Sequence, residues 1–343
     1  MTAATQEPAT AAEQFAARQH SPVQRVQHVL HSHPTISPAL VLVISFVVFS
    51  VLNPRFAHAQ SLSLVFQQVA VVGALAVGQT MIILTAGIDL SVGAATILSM
   101  LVMAKLAKGN GLPGVLALAV GVAVGLACGA LNGALVTRVK LPPFIVTLGT
   151  LSVFTAIALL YSQAQSIQSD SLPGLINWTG TTFPIGPFRI TTGVVLVLVL
   201  YAVAGFALSQ TAWGRHVYSV GDDAEASRLA GIRVNAVLLS VYAVAGAIYG
   251  VTAWILIGRA GGADPNSLTD ANLESITAVV IGGTSLFGGR GAVGGTLLGA
   301  LIVGFFRSGL SLAGVNDQYR VLAIGVLVIV AVAVDQWIRK VRA

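Results

Sequence analysis

Apolar residues in this chain come in blocks of about twenty, separated by short polar stretches. The blocks lie at approximately 36–52, 61–84, 89–107, 113–136, 143–163, 190–208, 235–257, 272–287, 291–313 and 319–337. Such a block is long enough to cross a bilayer as a helix. A transmembrane β-barrel would instead show segments of about ten residues alternating in hydrophobicity. The pattern predicts an all-α fold, a polytopic transmembrane helical bundle of about ten spans. The number falls to eight or nine if glycine-interrupted blocks turn back within the membrane.

The most charged interruption is 209–234, Ser-Gln-Thr-Ala-Trp-Gly-Arg-His-Val-Tyr-Ser-Val-Gly-Asp-Asp-Ala-Glu-Ala-Ser-Arg-Leu-Ala-Gly-Ile-Arg-Val. Its middle predicts a short helix over Ala224 to Ala230, with Asp222 or Asp223 as N-cap and Gly231 as the stop. A small water-exposed helix between membrane spans is a docking surface for a soluble partner. Ala224, Ala226 and Ala230 allow close approach, and Glu225 and Arg228 supply charge.

Composition sharpens this picture. Of 343 residues, 55% are hydrophobic and only 9% charged, against roughly 25% in soluble domains. The 37 glycines suit the close helix packing that replaces hydrophobic burial in lipid. The net charge of +6 is spread over loops and ends, so no nucleic-acid partner is expected. With the N-terminus inside, 11 of the 18 Lys and Arg residues fall on the cytoplasmic side, with segment 209–234 and the basic C-terminus. Loop 164–189 then faces outward. Cys128 is the single cysteine, which excludes an intrachain disulfide. Residues 1–37 read as a disordered cytoplasmic tail ahead of a permease domain at 38–343. The tail's His20, His28, His31 and His33 lack a carboxylate or thiol at ligand spacing, so no metal site is assigned.

Two glycine-rich breaks occupy matching places in the two halves, as in an inverted repeat of five spans each. The first is Thr85-Ala-Gly-Ile-Asp-Leu-Ser-Val-Gly93, and the second runs from Gly282-Gly283-Thr284 to Gly295. In the first break, Asp89 reads as the cap of a helix starting at Leu90, accepting from the N–H of Ser91 or Val92, in preference to a proton- or cation-coupling carboxylate. Glu274 at the head of the eighth block reads as a first-turn acid facing the helix dipole, and Arg259 as an interfacial anchor. Asn132-Gly133 is followed by Pro142-Pro143, a double proline that ends one structural unit and starts a helix. Thr147, Thr150 and Ser152 then either bond back to their own helix or line a polar pathway.

No phosphate-binding Gly-x-x-x-x-Gly-Lys-Ser/Thr loop occurs, nor any arrangement of His, Ser, Asp or paired carboxylates suited to catalysis. Neither is there a train of buried ionisable residues of the sort used by ion-driven carriers. The pattern fits a non-enzymatic permease driven by a separate ATPase.

Three segments carry a resemblance. They are Gly78 with Gly87-Ile88-Asp89-Leu90-Ser91-Val92-Gly93, Asn132-Gly133 with Pro142-Pro143-Phe144-Ile145, and Ala278-Val279-Val280-Ile281-Gly282-Gly283-Thr284-Ser285-Leu286 with Gly288-Gly289. Over residues 40–337 the chain resembles the ribose/xylose/arabinose/galactose-type permeases of bacterial ABC importers. The resemblance implies an inner-membrane permease that pairs with a second copy or a paralogue. It implies an ATP-binding subunit, which carries ATP and Mg, and an extracytoplasmic sugar-binding protein. It places Gly214, Arg215, Gly221, Asp223, Glu225, Ala226, Arg228, Leu229, Gly231 and Ile232 in the ATPase-coupling segment. The chain departs from the family pattern at Thr155-Ala156, at Ser308-Gly309 and at Arg320 after Tyr319. The expected function is translocation of a monosaccharide. A permease for branched-chain amino acids or another small solute, and an ion-coupled carrier, are the alternatives.

Overall fold

The computed structural model describes residues 35–109 and 111–340. The expected tail at 1–37 therefore lies almost wholly outside the described residues.

The chain folds into an all-α bundle. Its first five long helices are α1 (Ile36–Leu52), α2 (Ala59–Leu84), α3 (Val92–Gly109), α4 (Gly114–Thr137) and α5 (Pro143–Ser162). A short β1 (Ile167–Gln168) and the hairpin β2 (Thr182–Ile185) and β3 (Phe188–Thr191) follow. Next come α6 (Thr192–Gln210), α7 (Ala212–Asp222), α8 (Ala224–Leu229) and α9 (Val234–Ala260). After β4 (Gly262–Ala263), the chain ends with α10 (Ala271–Ile281), α11 (Val293–Leu312) and α12 (Asp317–Lys340).

Local chemistry sets the ends. Pro143 starts α5, where a missing N–H costs nothing, and Gly261 closes α9 in a left-handed conformation at φ 69°. Helices α2, α4, α5, α6, α9 and α11 are long and apolar enough to cross a membrane. Helix α3 runs through the middle, its apolar side chains buried nearly all round. Large apolar side chains point outward instead on the outer helices, among them Val47 on α1, Leu160 on α5, Phe206 on α6 and Ile329 on α12. On a water-soluble protein that surface would aggregate; here it meets lipid.

One expected span is cut short. The eighth block predicts helix over 272–287, but α10 stops at Ile281 after 11 residues, about 16 Å of rise. That is half of the roughly 30 Å hydrocarbon layer. The stop has a backbone cause: Gly283 takes φ +85°, Gly283 N–H donates to Val280 O, and Thr284 N–H donates to Val279 O. This 6→1 closure is a helix C-cap.

Glycine sets the closest packing. Gly125 and Gly129 of α4 face Gly246 and Gly250 of α9. A Cβ on Gly129 would lie 2.1 Å from the Tyr242 carbonyl oxygen, and one on Gly246 would lie 2.3 Å from the Gly125 oxygen. The two backbones touch, as at small-residue interfaces in membranes. A second seam joins α10 to α11, where a Cβ on Gly299 would lie 1.9 Å from the Ala278 oxygen. An aromatic cluster secures α1 to α11, with Phe49 and Phe306 edge to face at 5.3 Å.

The bundle has two polar ends. At one, β1 pairs antiparallel with β4, and Trp178 stacks on Trp254 with centroids 5.6 Å apart, so segment 167–191 covers the end of α9. At the other lie α7, α8 and both glycine breaks.

Candidate functional site

Segment 209–234 forms two helices rather than one. The Thr211 side chain caps α7 by accepting the Gly214 N–H at 3.1 Å. Buried Gly214, Val217, Val220 and Gly221 make the inner face of α7, while Arg215 is exposed. Asp223 then caps α8, its Oδ1 accepting the N–H groups of Glu225 and Ala226, each at 2.9 Å. Gly231, at φ +85°, ends the motif. Ala224, Glu225, Ala226, Arg228 and Leu229 all face solvent, and Leu229 is 84% exposed. The Glu225–Arg228 pair, at 3.1 Å, is too exposed to add much stability. An apolar knob, small residues and paired charges on one exposed turn give a contact surface.

The inner face of this unit rests on both glycine breaks. Gly221 packs where a Cβ would lie 2.8 Å from Gly289 N and closer still to the Leu84 oxygen. Gly289 N–H donates to Leu84 O at 2.9 Å, and the Tyr218 hydroxyl donates to Gly291 O at 2.9 Å. Gly288 and Gly289 take φ +84° and +70°, conformations open to glycine. Gly282 packs against Gly295, and the buried Thr284 lies where a Cβ on Gly291 would go. Three segments distant in sequence thus meet in one joint.

Just inside the joint sits Asp89, fully buried. It does not cap a helix beginning at Leu90, since α3 begins at Val92. Its Oδ1 instead accepts both the Ser91 N–H at 2.7 Å and the Ser91 hydroxyl at 2.6 Å, an Asx-turn that leads into the helix. Asn132 Nδ2 donates to Ser91 Oγ at 2.8 Å, and Thr147 Oγ1 donates to Ile88 O at 3.0 Å. Asp89, Ser91, Asn132 and Thr147 are thus brought together. Thr150 bonds back to Thr147 O at 3.4 Å. Tyr242 and Tyr249 of α9 bring buried hydroxyls within electrostatic reach of Asp89. Sequence reading passed over these tyrosines because α9 scores as an apolar span.

Glu274 lies elsewhere. Its carboxylate is buried at the head of α10 and pairs with Arg307 of α11, so a tertiary partner and not the helix dipole alone accounts for it. The pair lines a cavity of about 540 Å³ at the end opposite α7 and α8, between α2, α10, α11 and the start of α12. Arg259 lines the cavity too and is more than an interfacial anchor. The Ser308 hydroxyl donates to Gln68 Oε1 at 3.2 Å across its wall. Two of the three departures from the family pattern, Ser308 and Arg320, are on this cavity, whereas Thr155 is exposed on α5 and bonds to Leu151 O. A pairing such as Glu274–Arg307, 33 residues apart, leaves no local sequence signal.

An all-α bundle with a lipid-facing girdle, a polar cavity at one end and a protruding helical knob at the other defines a membrane permease. The chain belongs to the family described as branched-chain amino acid transport system / permease component, whose model matches residues 61–332. It is similar to the fructose import permease protein FrcC of Rhizobium meliloti, 47% identical over 96% of this chain and 92% of the relative. The ribose import permease protein RbsC of Bacillus subtilis (strain 168) is 37% identical over 88% of this chain and 92% of its own. The D-allose transport system permease protein AlsC of Escherichia coli (strain K12) is 34% identical over 88% and 91%. No solved structure matches the chain. The chain is the permease of an ABC importer, a multi-pass inner-membrane protein that works with ATPase and substrate-binding partners.

Proposed function

We propose that this permease admits a monosaccharide, a hexose such as fructose first among the candidates, without changing it chemically. The observation that carries the reading is the 47% identity to a fructose import permease over nearly the whole chain, with ribose and allose permeases next to it. All three relatives are named for sugars, which favours a sugar over a branched-chain amino acid.

The chain binds no cofactor; ATP and Mg sit on the ATPase. That subunit docks on α7 and α8, which lie in the cytoplasm, and segment 164–189 faces the binding protein outside. A second permease copy or a paralogue completes the pore. Docking moves α7, and the glycine joint passes the movement to the breaks before α3 and α11, switching the opening from one side to the other. The bonds from Gly289 N–H to Leu84 O and from Tyr218 to Gly291 O support this route.

The test is uptake by proteoliposomes holding the permease with its ATPase and binding protein. ATP-dependent, saturable uptake of D-fructose or a related monosaccharide that persists with proton and sodium ionophores is expected. Uptake of L-leucine alone, or uptake that needs an ion gradient and no ATPase, would overturn the reading.

A further inference from the structure

We infer that the cavity between α2, α10 and α11 is a sugar-recognition site of the permease itself, with Glu274 accepting from ring hydroxyls and Arg307 and Arg259 donating to them. The inference rests on the monosaccharide reading. The volume of about 540 Å³ falls within the range of small-ligand sites, roughly 300–1,000 Å³.

The lining matches the chemistry of a polyol. Glu274 presents a carboxylate whose side chain is only 5% exposed, held by Arg307, whose side chain is 47% exposed and so keeps donors turned to the open space. A guanidinium offers five N–H donors and a carboxylate four lone-pair sites, while each sugar hydroxyl both donates and accepts. Gln68 on α2 and Ser308 beside Arg307 on α11, bonded to each other, extend the polar strip. Val69 and Val303 supply apolar surface for the C–H face of a sugar ring.

Charge argues against ionic solutes. A cation would meet Arg259, Arg307 and Arg320, and an anion would meet Glu274 beside Asp270. A neutral hydroxylated solute is opposed by neither. The cavity lies at the end away from α7 and α8, where a sugar released by an outer binding protein would arrive.

The site predicts that the permease discriminates among sugars by itself. The experiment is equilibrium binding of radiolabelled D-fructose to the purified permease–ATPase complex without binding protein, competed by D-ribose, D-allose and L-leucine. Saturable binding is expected, displaced by the sugars and not by leucine. Glu274→Gln and Arg307→Met should each weaken it roughly tenfold to a hundredfold, the loss expected for a charged hydrogen-bond partner. Gln68→Ala keeps the ion pair and guards against a folding artefact; it should change the rank order of the competing sugars. Fructose import by the complete system, with no binding by the permease alone or with unaltered affinity and rank order in all three variants, would overturn the inference while leaving the monosaccharide reading intact. Failure of the complete system to import any monosaccharide would overturn that reading and the inference with it.

Discussion

Gly221 sits against Leu84 so closely that a Cβ placed on the glycine would lie 1.7 Å from the leucine carbonyl oxygen. The contact joins the helix that precedes the exposed knob to the end of the longest buried helix of the first half. Gly221→Ala should therefore separate the two. The expected result is a complex that assembles with its ATPase and hydrolyses ATP, while sugar-loaded binding protein no longer stimulates hydrolysis and uptake falls at least tenfold. Uptake and stimulated hydrolysis equal to wild type would remove the joint from the mechanism.

The exposed helix α8 makes a separate prediction. Ala226→Trp should leave the spans folded and block seating of the ATPase, and Glu225→Arg should weaken it by reversing a charge at the contact. Asp223→Ala should cost the cap about 1 kcal/mol, and Asp223→Asn should restore most of it. Co-purification of the ATPase reads all four, and normal recovery with Ala226→Trp would mean the partner binds elsewhere. Surface substitutions on a merely solubilising loop usually stay within about 0.5 kcal/mol.

At Asp89 only one carboxyl oxygen accepts the Ser91 bonds. Asp89→Asn keeps that acceptor and should retain most of the transport. Asp89→Leu leaves the Ser91 N–H and hydroxyl without that acceptor in the interior, which costs about 1–3 kcal/mol for each unsatisfied group, and should lower folded yield. Loss of uptake in Asp89→Asn at normal protein level would show that the charge itself is used.

The α4–α9 seam can be tested against an internal control. Gly129→Ala places a methyl where the Tyr242 carbonyl stands, and should destabilise by about 2 kcal/mol or more. Gly149→Ala, on the open face of α5, has nothing within 4 Å and should be neutral. Thermal unfolding in detergent compares the two, and equal midpoints would disprove the tight seam.

Orientation is read by labelling. In a Cys128→Ala background, Leu229→Cys should resist an impermeant thiol reagent in intact cells, whereas Ile185→Cys in the outer hairpin should react. Both side chains are exposed, at 84% and 54%, so accessibility does not limit the reaction. The reverse pattern would invert the proposed topology.

The helices were legible in the sequence because lipid demands long apolar runs: among the described residues nine of the ten expected blocks correspond to the nine longest helices, and the eighth to the shorter α10. That eighth block misled because apolar residues continue past Ile281 while the backbone turns at Gly283. Asp223 and Gly231 were readable because caps act through neighbours in sequence. Glu274 is the first-turn acid the sequence suggests, but its partner Arg307 and the buried Tyr242 and Tyr249 carry no local signal, because they arrive only through tertiary packing. The four-residue spacing of Gly121, Gly125, Gly129 and Gly133 was a signal available in the sequence, although it names no partner helix.

Where main chain rests on main chain, no rotamer is left to switch. Helices α4 and α9 are in that condition along their shared seam, and α10 and α11 along theirs. Backbone contact along each seam favours movement of each pair as one body. Strain applied at α7 would then reach the α10–α11 pair as a whole, through the glycines at 288, 289 and 291 that link its two helices and touch Leu84, Gly221 and Tyr218. Cooling should stiffen such a joint little, since it holds no side-chain layer to freeze. The stroke of the permease is then set by backbone geometry, and sequence change on the lipid-facing surface can drift without altering it.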